Sequence, residues 1–380
     1  MKLVLLVAPL LAQEPGVGER LEAIRAEAGV PALAAAWTTL DGLQGVWVAG
    51  TREAGGAERV TADDRWHLGS CTKSMTATLI ALLVARGDLA WETPLGEALP
   101  ELVDGMDLDG MDLDYGDVTV VELLGHRAGL AANPDIPYLA GLRASPATLI
   151  EQRAGFTAKV LGTPPVHTPR GAFLYSNSGY VVAGHLAERA TGKPWEELMR
   201  ALLFEPLDMA SAGFGPPGLG DATVTQPRGH DGKGQAITPG PFADNPPAIG
   251  PAGTVHASLA DWAKYARLHL AGARGDVKLG ELTLSREAFA RLHAGLPGPG
   301  QPYGYGWVVR ETGWAGGDGK ALWHNGSNTM WYCELWLGLE RGVALLAATN
   351  QAGNAPTRAV DSAVKLLIEQ LGPAPAAPGR

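Results

Sequence analysis

The chain has 380 residues, of which 46% are hydrophobic and 18% are charged, a composition that predicts a folded globular protein and excludes a disordered one. Its formal net charge of -10 argues against nucleic acid as a partner, because phosphate binding requires a basic surface. The 51 glycines and 28 prolines predict many turns and long, shaped loops.

The N-terminal segment, residues 1–12, reads MKLVLLVAPLLA and resembles a secretory signal peptide that is cleaved near Ala12 or Gln13. We therefore expect an exported protein, periplasmic or secreted. The alternatives are a misplaced start codon and a hydrophobic N-terminal tail, and the protein would then be cytoplasmic. No other segment approaches the roughly 18 apolar residues of a membrane span, so we expect no stable span.

Hydrophobic spacing predicts a helix over residues 18–28, which ends at Gly29. Two strands follow, at 32–37 and 45–48, and they are joined by a turn. A further helix is predicted over 70–86, because it begins at a Gly–Ser step and carries apolar residues at helical spacing.

The middle of the chain predicts helices at 195–203 and 259–270, and the last eighty residues change to short β-type runs between glycine-bearing turns. A closing amphipathic helix is predicted over 359–371, followed by a disordered tail at 373–380. The predicted β-type runs cover residues 303–310, 321–324, 330–337 and 343–349.

The fold class that these elements predict is α/β (α+β), with an antiparallel sheet built from both termini and flanked by helices. A mostly helical region, residues 75–300, is inserted between the two parts of the sheet, which come from 18–70 and 300–371. We expect residues 13–372 to form a single domain.

Ser70 and Lys73 form a Ser-x-x-Lys motif at the start of the predicted helix 70–86. One helical turn separates them, so the lysine amine lies within reach of the serine oxygen and can activate it as a nucleophile. A second copy, Ser362 to Lys365, falls in the closing helix and lacks the strand and glycine that precede Ser70. We interpret that second copy as surface.

Two further patterns carry candidate chemistry. Tyr175 and Asn177 form the chain's only Tyr-x-Asn, in which a tyrosine can pass a proton and an amide can hold a substrate carbonyl. His324, Asn325 and Gly326 precede a strand-like run, and a glycine on a strand edge lets the substrate backbone approach. Taken alone, the first is more often an ordinary loop before a helix, and His-x-Gly occurs twice elsewhere.

The order of the three motifs and their flanking segments resembles the serine β-lactamase and penicillin-binding protein superfamily, in its class C-like branch of β-lactamase-related serine hydrolases. The resemblance extends over about residues 18–370. It includes RWHLGSCTKSMTA, LLGHRAGL, YSNSGYVVAGHLAERATGKPW, GPAGTVHASLADWAKY and YGYGW.

The resemblance implies that Ser70 is the nucleophile that becomes acylated and that Lys73 and Tyr175 share the acid–base work. Asn177 would position the substrate, and the backbone N–H groups of Ser70 and Ser327 would form the oxyanion hole. It also implies that His324, Asn325, Gly326 and Ser327 line the substrate strand, with no metal or organic cofactor.

The third motif departs from the Lys-Thr-Gly of many β-lactamases, because His324 and Asn325 replace the permanent cation and the hydroxyl. This departure favours an esterase or a D-amino-acid-type peptidase over an efficient β-lactamase, with a small molecule or a peptide as substrate. A non-catalytic peptide-binding or scaffold member of the same family is the alternative. A GxSxG α/β-hydrolase is excluded, because the chain has no such motif.

The remaining histidines and the cysteines give weaker signals. We expect His126, in LLGHRAGL, to hold a loop by hydrogen bonds, and His67 and His256 to have structural roles. Cys71 and Cys333 are compatible with one disulfide or with none, and no spacing resembles a metal site. The sequence leaves the oligomeric state open.

Overall fold

The computed structural model describes residues 16–100, 115–166 and 171–374, so the predicted signal peptide and most of the predicted tail lie outside the described residues. The strands are β1 (Ala32–Thr39), β2 (Gly42–Gly50), β3 (Arg65–His67), β4 (Gly213–Phe214), β5 (Val255–Ser258), β6 (Val277–Leu279), β7 (Leu282–Leu284), β8 (Tyr303–Gly304), β9 (Trp307–Glu311), β10 (Lys320–Ser327), β11 (Tyr332–Gly338) and β12 (Val343–Thr349). The helices are α1 (Val17–Ala28), α2 (Thr72–Arg86), α3 (Leu95–Ala98), α4 (Val120–Leu124), α5 (Ile136–Ala144), α6 (Leu149–Leu161), α7 (Asn177–Thr191), α8 (Trp195–Met199), α9 (Gly250–Gly253), α10 (Leu259–Gly272), α11 (Arg286–Ala294) and α12 (Asn354–Leu371).

Over the described residues, the main sheet has seven strands in the order β2-β1-β12-β11-β10-β9-β8, and every neighbouring pair is antiparallel. The N-terminal strand β1 pairs with β12, from the C-terminal part of the chain. The predicted fold class, an antiparallel sheet built from both termini and flanked by helices, is confirmed.

Helices cover both faces of this sheet. All seven residues of β12 are buried, and they alternate between two apolar clusters. Leu346 faces the cluster under α10, whereas Leu345 faces the cluster formed with α1 and α12. A strand that is buried on both faces has a continuous run of apolar residues. This is why the sequence VALLAAT forms a strand although its apolar and polar residues do not alternate.

The closing helix predicted over 359–371 begins earlier, at Asn354, and three other predicted elements differ from the structure in the type or continuity of their secondary structure. The helix predicted over 70–86 begins as a 3-10 turn at Gly69–Cys71 and becomes α-helical at Thr72. The helix predicted over 195–203 is α-helical only to Met199 and continues as a π-helical turn, Arg200–Phe204. The run predicted over 303–310 is two strands, because Gly306 takes a φ of 85° and turns the chain between them.

Outside the main sheet, β3 is the strand predicted before Ser70, whereas spacing does not predict β4, β5, β6 and β7. β3, β5 and β4 form a small antiparallel sheet, and β6 pairs with β7. β3 leads directly into the turn that carries Ser70, so this small sheet fixes where α2 begins. None of the helices in the described parts of the chain is both long and apolar enough to cross a membrane.

The turn before α2 and the main sheet meet at Gly69 and Gly326. A Cβ on Gly326 would lie 1.9 Å from the Leu68 carbonyl oxygen, and a Cβ on Gly69 would lie 2.4 Å from the Ser327 nitrogen. Both positions therefore require glycine. This close approach brings the end of β10 against the start of α2.

Candidate active site

Ser70 lies in the 3-10 turn before α2, and Lys73 lies on the first turn of that helix. Lys73 Nζ is 3.0 Å from Ser70 Oγ, as the Ser-x-x-Lys spacing predicts. The lysine side chain is fully buried, whereas Ser70 is partly exposed. A substrate can therefore reach the hydroxyl while the amine stays out of water.

Lys73 Nζ also donates to two oxygens beyond Ser70. These are Asn177 Oδ1 and the Ala252 carbonyl oxygen, each at 2.7 Å. Neither is a carboxylate, so no full negative charge offsets the cost of burying the ammonium at these contacts. Burial lowers the pKa of Lys73 to about 7, and the nearby Cys71 opposes this only in part.

Tyr175 lies over the lysine, with its ring centroid 4.9 Å from Lys73 Nζ. Burial raises the pKa of Tyr175, and a hydrogen bond with Ser70 offsets a part of that rise. The tyrosine therefore remains a neutral phenol near pH 7, in contact with the serine oxygen. A neutral phenol can give its proton to a leaving group.

Asn177 is the first residue of α7, and the cap of that helix holds it in place. Ser176 is the N-cap residue, and its Oγ accepts a hydrogen bond from the Gly179 N–H at 3.2 Å. The amide of Asn177 accepts from Lys73 and donates to Asn133 Oδ1 at 3.0 Å. The helix cap thus fixes the position of the Asn177 amide beside Lys73.

His126 supports the Tyr175 segment from behind. Its Nδ1 accepts a hydrogen bond from the Ser176 N–H at 3.1 Å, and its ring centroid is 4.4 Å from that of Tyr175. The predicted loop-holding hydrogen bond of His126 is confirmed. Burial and the positive charge of Lys73 lower the pKa of His126 well below its usual range, so it adds no charge to the site.

His324 is buried on the Ser70 side of β10. Its Nδ1 contacts the Asn325 carbonyl oxygen at 2.5 Å and therefore carries the ring proton, so that Nε2 accepts from the Tyr303 hydroxyl at 2.9 Å. Burial and then the charge of Lys73 lower the pKa of His324 to about 3. The third motif therefore presents a neutral imidazole where other members of the resembled family carry a lysine.

Asn325 points to the other face of the sheet. Its Nδ2 donates to the Tyr332 hydroxyl at 3.2 Å, and that hydroxyl donates to Glu334 Oε1 at 2.8 Å. Tyr332 belongs to the cluster formed with α1 and α12, so the side chain of Asn325 lies away from Ser70. Alternation along a strand explains this, since His324 and Gly326 face the helix α2.

Residues 324–327 of β10 have one edge that β9 does not pair with, because the ladder between the two strands ends at Trp323. Gly326 and Ser327 lie at the end of this edge, against Gly69. Ser327 is exposed there. The edge can take an extended substrate backbone, with the N–H groups of Ser70 and Ser327 at its end.

Cys71 and Cys333 are free thiols in the structure, with sulfur atoms 3.8 Å apart. A disulfide would need about 2.05 Å. Burial raises the pKa of the Cys71 thiol well above its usual range, which makes it a poor nucleophile. Over the described ranges, no group of three or more histidines, cysteines and carboxylates is placed to hold a metal ion.

Comparison with known proteins assigns this arrangement to a family. A family model described as Beta-lactamase matches residues 17–370, nearly the whole chain. The chain belongs to the beta-lactamase family. It is 29% identical over 307 residues to a penicillin-binding protein 4 from Amycolatopsis lactamdurans, which covers 80% of this chain and 74% of the relative. The predicted recognition of the serine β-lactamase and penicillin-binding protein superfamily is confirmed.

Two other matches are an esterase relative and a solved structure that shares the fold. The chain is 31% identical over 180 residues to esterase EstB from Burkholderia gladioli, which covers 43% of this chain and 41% of the esterase. A D-stereospecific amidohydrolase from Streptomyces sp. shares the fold, with a TM-score of 0.68, 22% identity and coverage of 91% and 97% of the two chains. This beta-lactamase family chain is therefore a serine hydrolase of the β-lactamase, DD-peptidase and esterase type.

The structure joins Ser70, Lys73 and Asn177 by hydrogen bonds through the lysine amine, and it brings Tyr175 into contact with them. Gly326 and Ser327 lie against the same turn, whereas the Asn325 side chain does not. The motifs did not predict three further groups near the site: the Ala252 carbonyl, Asn133 and Tyr303. The segments GPAGTV and YGYGW carry two of them, so segment similarity was the available signal.

Proposed function

We propose that this chain cleaves an ester or amide through an acyl-enzyme on Ser70. The observation that carries the proposal is the fully buried Lys73, whose amine lies 3.0 Å from Ser70 Oγ and whose pKa is lowered to about 7. Near neutral pH a sizeable fraction of this amine is unprotonated. It can then take the serine proton as Oγ attacks the substrate carbonyl carbon.

Acylation proceeds in two steps. Ser70 Oγ bonds to the carbonyl carbon while its proton passes to Lys73, and the oxyanion that forms accepts hydrogen bonds from the N–H groups of Ser70 and Ser327. The tetrahedral intermediate then breaks its bond to the leaving group, which takes a proton from Tyr175, and Lys73 returns a proton to the tyrosine. Water subsequently hydrolyses the acyl-enzyme by the same groups acting in reverse.

The substrate we propose is uncharged on its leaving-group side. His324 is buried and neutral with a pKa of about 3, and Asn325 points to the other face of β10, so the third motif supplies neither a cation nor a hydroxyl for a carboxylate. Short esters and D-amino-acid amides fit this site better than β-lactams or peptides with a free C-terminal carboxylate. The relatives named as an esterase and as a D-stereospecific amidohydrolase support the same substrate class.

The test is turnover and covalent labelling with a p-nitrophenyl ester, in wild type and in Ser70→Ala. We expect acylation at Ser70 by mass spectrometry and its complete loss in the variant. A matched pair, a D-alanyl-D-alanine peptide and its C-terminal amide, should show roughly 10-fold or higher kcat/KM for the amide. Unchanged labelling of Ser70→Ala would refute the nucleophile, and a preference for the free carboxylate would refute the substrate class.

A further inference from the structure

The buried carboxylate of Asp244 lies behind the two turns that hold Ser70 and Ser327. Asp244 is 5% exposed and comes from the long loop between β4 and α9. Its two oxygens accept hydrogen bonds from His67 and from Asn328, residues that lie three positions before Ser70 and one position after Ser327. One carboxylate therefore contacts both sides of the proposed oxyanion hole.

The first arm runs through His67. The Gly69 N–H donates to His67 Nδ1 at 3.1 Å, and because an N–H can only donate, Nδ1 must be the unprotonated ring nitrogen. The ring proton is therefore on Nε2, which donates to Asp244 Oδ2 at 2.7 Å. Asp244 thus selects the tautomer of His67 that can hold Gly69.

Gly69 needs this support because it takes a φ of 46° and sits against the Ser327 nitrogen. A hydrogen bond to its N–H fixes the turn that aims the Ser70 N–H. Without an acceptor at Nδ1, a buried N–H would be left unpaired beside the nucleophile.

The second arm runs through Asn328, in the turn between β10 and β11. Its Nδ2 donates to Asp244 Oδ1 at 3.0 Å, and its Oδ1 accepts from the Met330 N–H at 3.2 Å. Thr329 in the same turn has a φ of 73°, a left-handed conformation that is strained for a β-branched residue. The bonds to Asn328 hold this strained turn, which carries Ser327.

We propose that Asp244 is a positioning residue that sets the relative geometry of the two oxyanion-hole N–H groups, through His67 on one side and Asn328 on the other. This inference rests on the proposed function, since it assigns Asp244 to the oxyanion hole of Ser70 and Ser327. Asp244 itself touches neither substrate nor the reacting atoms.

Asp244→Asn separates this role from a general structural one. An amide in this place has one oxygen and one NH2, and the present Oδ1 accepts from both the Asn328 Nδ2 and the Asn245 N–H, the latter at 2.7 Å. The amide oxygen will stay on that side, because the opposite orientation would set its NH2 against two donors. The NH2 then faces His67 Nε2, which must accept, so the ring proton moves to Nδ1 and the Gly69 N–H loses its acceptor.

The experiment combines two readouts on Asp244→Asn. The first is histidine ¹⁵N NMR, which reports the tautomer of His67, with the signal assigned by its loss in His67→Asn. The second is the acylation rate and KM with a p-nitrophenyl ester. We expect the His67 proton on Nε2 in wild type and on Nδ1 in the variant, with acylation slowed by roughly 10- to 100-fold and KM little changed.

Two controls keep the result specific. Asp261→Asn removes a similarly buried carboxylate, 7% exposed, that accepts hydrogen bonds from Ser211. Ser211 does not belong to the turns that carry Ser70 and Ser327, so this variant should leave the acylation rate unchanged. In the His67→Asn background, the side-chain oxygen of the introduced asparagine can take the place of Nδ1. Adding Asp244→Asn to His67→Asn should slow acylation much less than adding it to wild type. This comparison can be made even when the Asp244→Asn single variant folds poorly.

Each outcome decides the proposal. A changed tautomer with slowed acylation supports it, and so does a reduced effect in the His67→Asn background. An unchanged tautomer, or a changed tautomer with full acylation, overturns it. If wild type is not acylated at Ser70, the proposed function fails and the catalytic role of Asp244 falls with it, while the NMR result still reports the hydrogen-bond chain.

Discussion

Lys73 is surrounded by oxygen atoms that accept hydrogen bonds but carry no full negative charge: the Ser70 hydroxyl, the Asn177 amide and the Ala252 carbonyl. These partners fix the amine in place without stabilising its charge as a carboxylate would. Desolvation therefore dominates and lowers the pKa to about 7. Placement by neutral acceptors is what makes this lysine suited to act as a base.

The acylation rate should rise with pH through a midpoint near 7. The pKa of Lys73 is lowered in the folded protein, so the amine loses its proton as pH increases through that value and becomes able to accept the Ser70 proton. Stopped-flow acylation with a p-nitrophenyl ester between pH 5.5 and 9 measures this. Lys73→Arg stays charged over the whole range and should remove the rising limb and most of the rate.

The second Ser-x-x-Lys provides the matched control. Ser362 and Lys365 have the same spacing on α12, where Lys365 is exposed. Lys365→Met should leave both the rate and its pH midpoint unchanged. A midpoint that stays far above 7 in wild type would contradict Lys73 as the base.

Local spacing could predict those site residues whose partners lie within a few positions in the sequence. Ser70 and Lys73 are one helical turn apart, and Asn177 follows Tyr175 into a helix. The Ala252 carbonyl and Asp244 could not be predicted this way, since a backbone acceptor has no residue type and a buried aspartate has no periodicity. The position of Asp244 depends on how the loop before α9 contacts β3, and that of the Ala252 carbonyl on how α9 packs against α2.

At the scale of elements, the hairpin β8–β9 packs on the start of α2. Gly306, between the two strands, takes a φ of 85°, and a Cβ there would lie 2.3 Å from Ser74 Cα and 2.8 Å from the Lys73 carbonyl carbon. The backbone of the hairpin thus touches the backbone of α2, the helix that carries Lys73. This contact sets the position of α2 relative to the sheet edge.

Gly306→Ala should be destabilising for two reasons, the left-handed φ and the overlap with α2. Together they should cost about 2–5 kcal/mol of unfolding free energy. Urea unfolding followed by circular dichroism measures this. Gly313→Ala is the control, because its Cβ would meet nothing within 4 Å and its φ is not left-handed. Equal stability of the two variants would refute the contact as a packing constraint.

Element prediction succeeded where the apolar pattern was long. Helix α2 and strand β12 bury most of their residues, and their sequences show it. In the small sheet β3-β5-β4, the strand before Ser70 was predicted but β4 and β5 were not, because strands of two and four residues are too short for alternation to be visible. The π-helical turn after α8 is a feature of tertiary packing that helical spacing alone does not reveal.

At the scale of the whole molecule, the candidate site draws on both parts of the fold. Helices α2 and α7 supply Lys73 and Asn177, whereas the main sheet supplies Ser327, and they meet where Gly69 contacts β10. The sheet in turn depends on both termini, since β1 pairs with β12 and α1 packs on α12. Destabilising the terminal helices α1 and α12 should therefore affect the candidate site only by destabilising the sheet.

Leu367→Ala tests whether the two parts unfold as one unit. Leu367 is fully buried on α12, in the apolar cluster formed with α1 and α12. Truncation of such a leucine costs about 2–5 kcal/mol of unfolding free energy. We expect the thermal midpoint from circular dichroism and the temperature at which Ser70 labelling is lost to coincide in wild type, and to fall together in the variant. Glu369→Ala is the control, because it removes only an exposed ion pair with Arg20 and should shift neither midpoint appreciably. Labelling of Ser70 that survives above the unfolding midpoint of the sheet would contradict this expectation. It would show that Ser70 and Lys73 keep their arrangement without β10, and that the chain forms two domains where one is predicted.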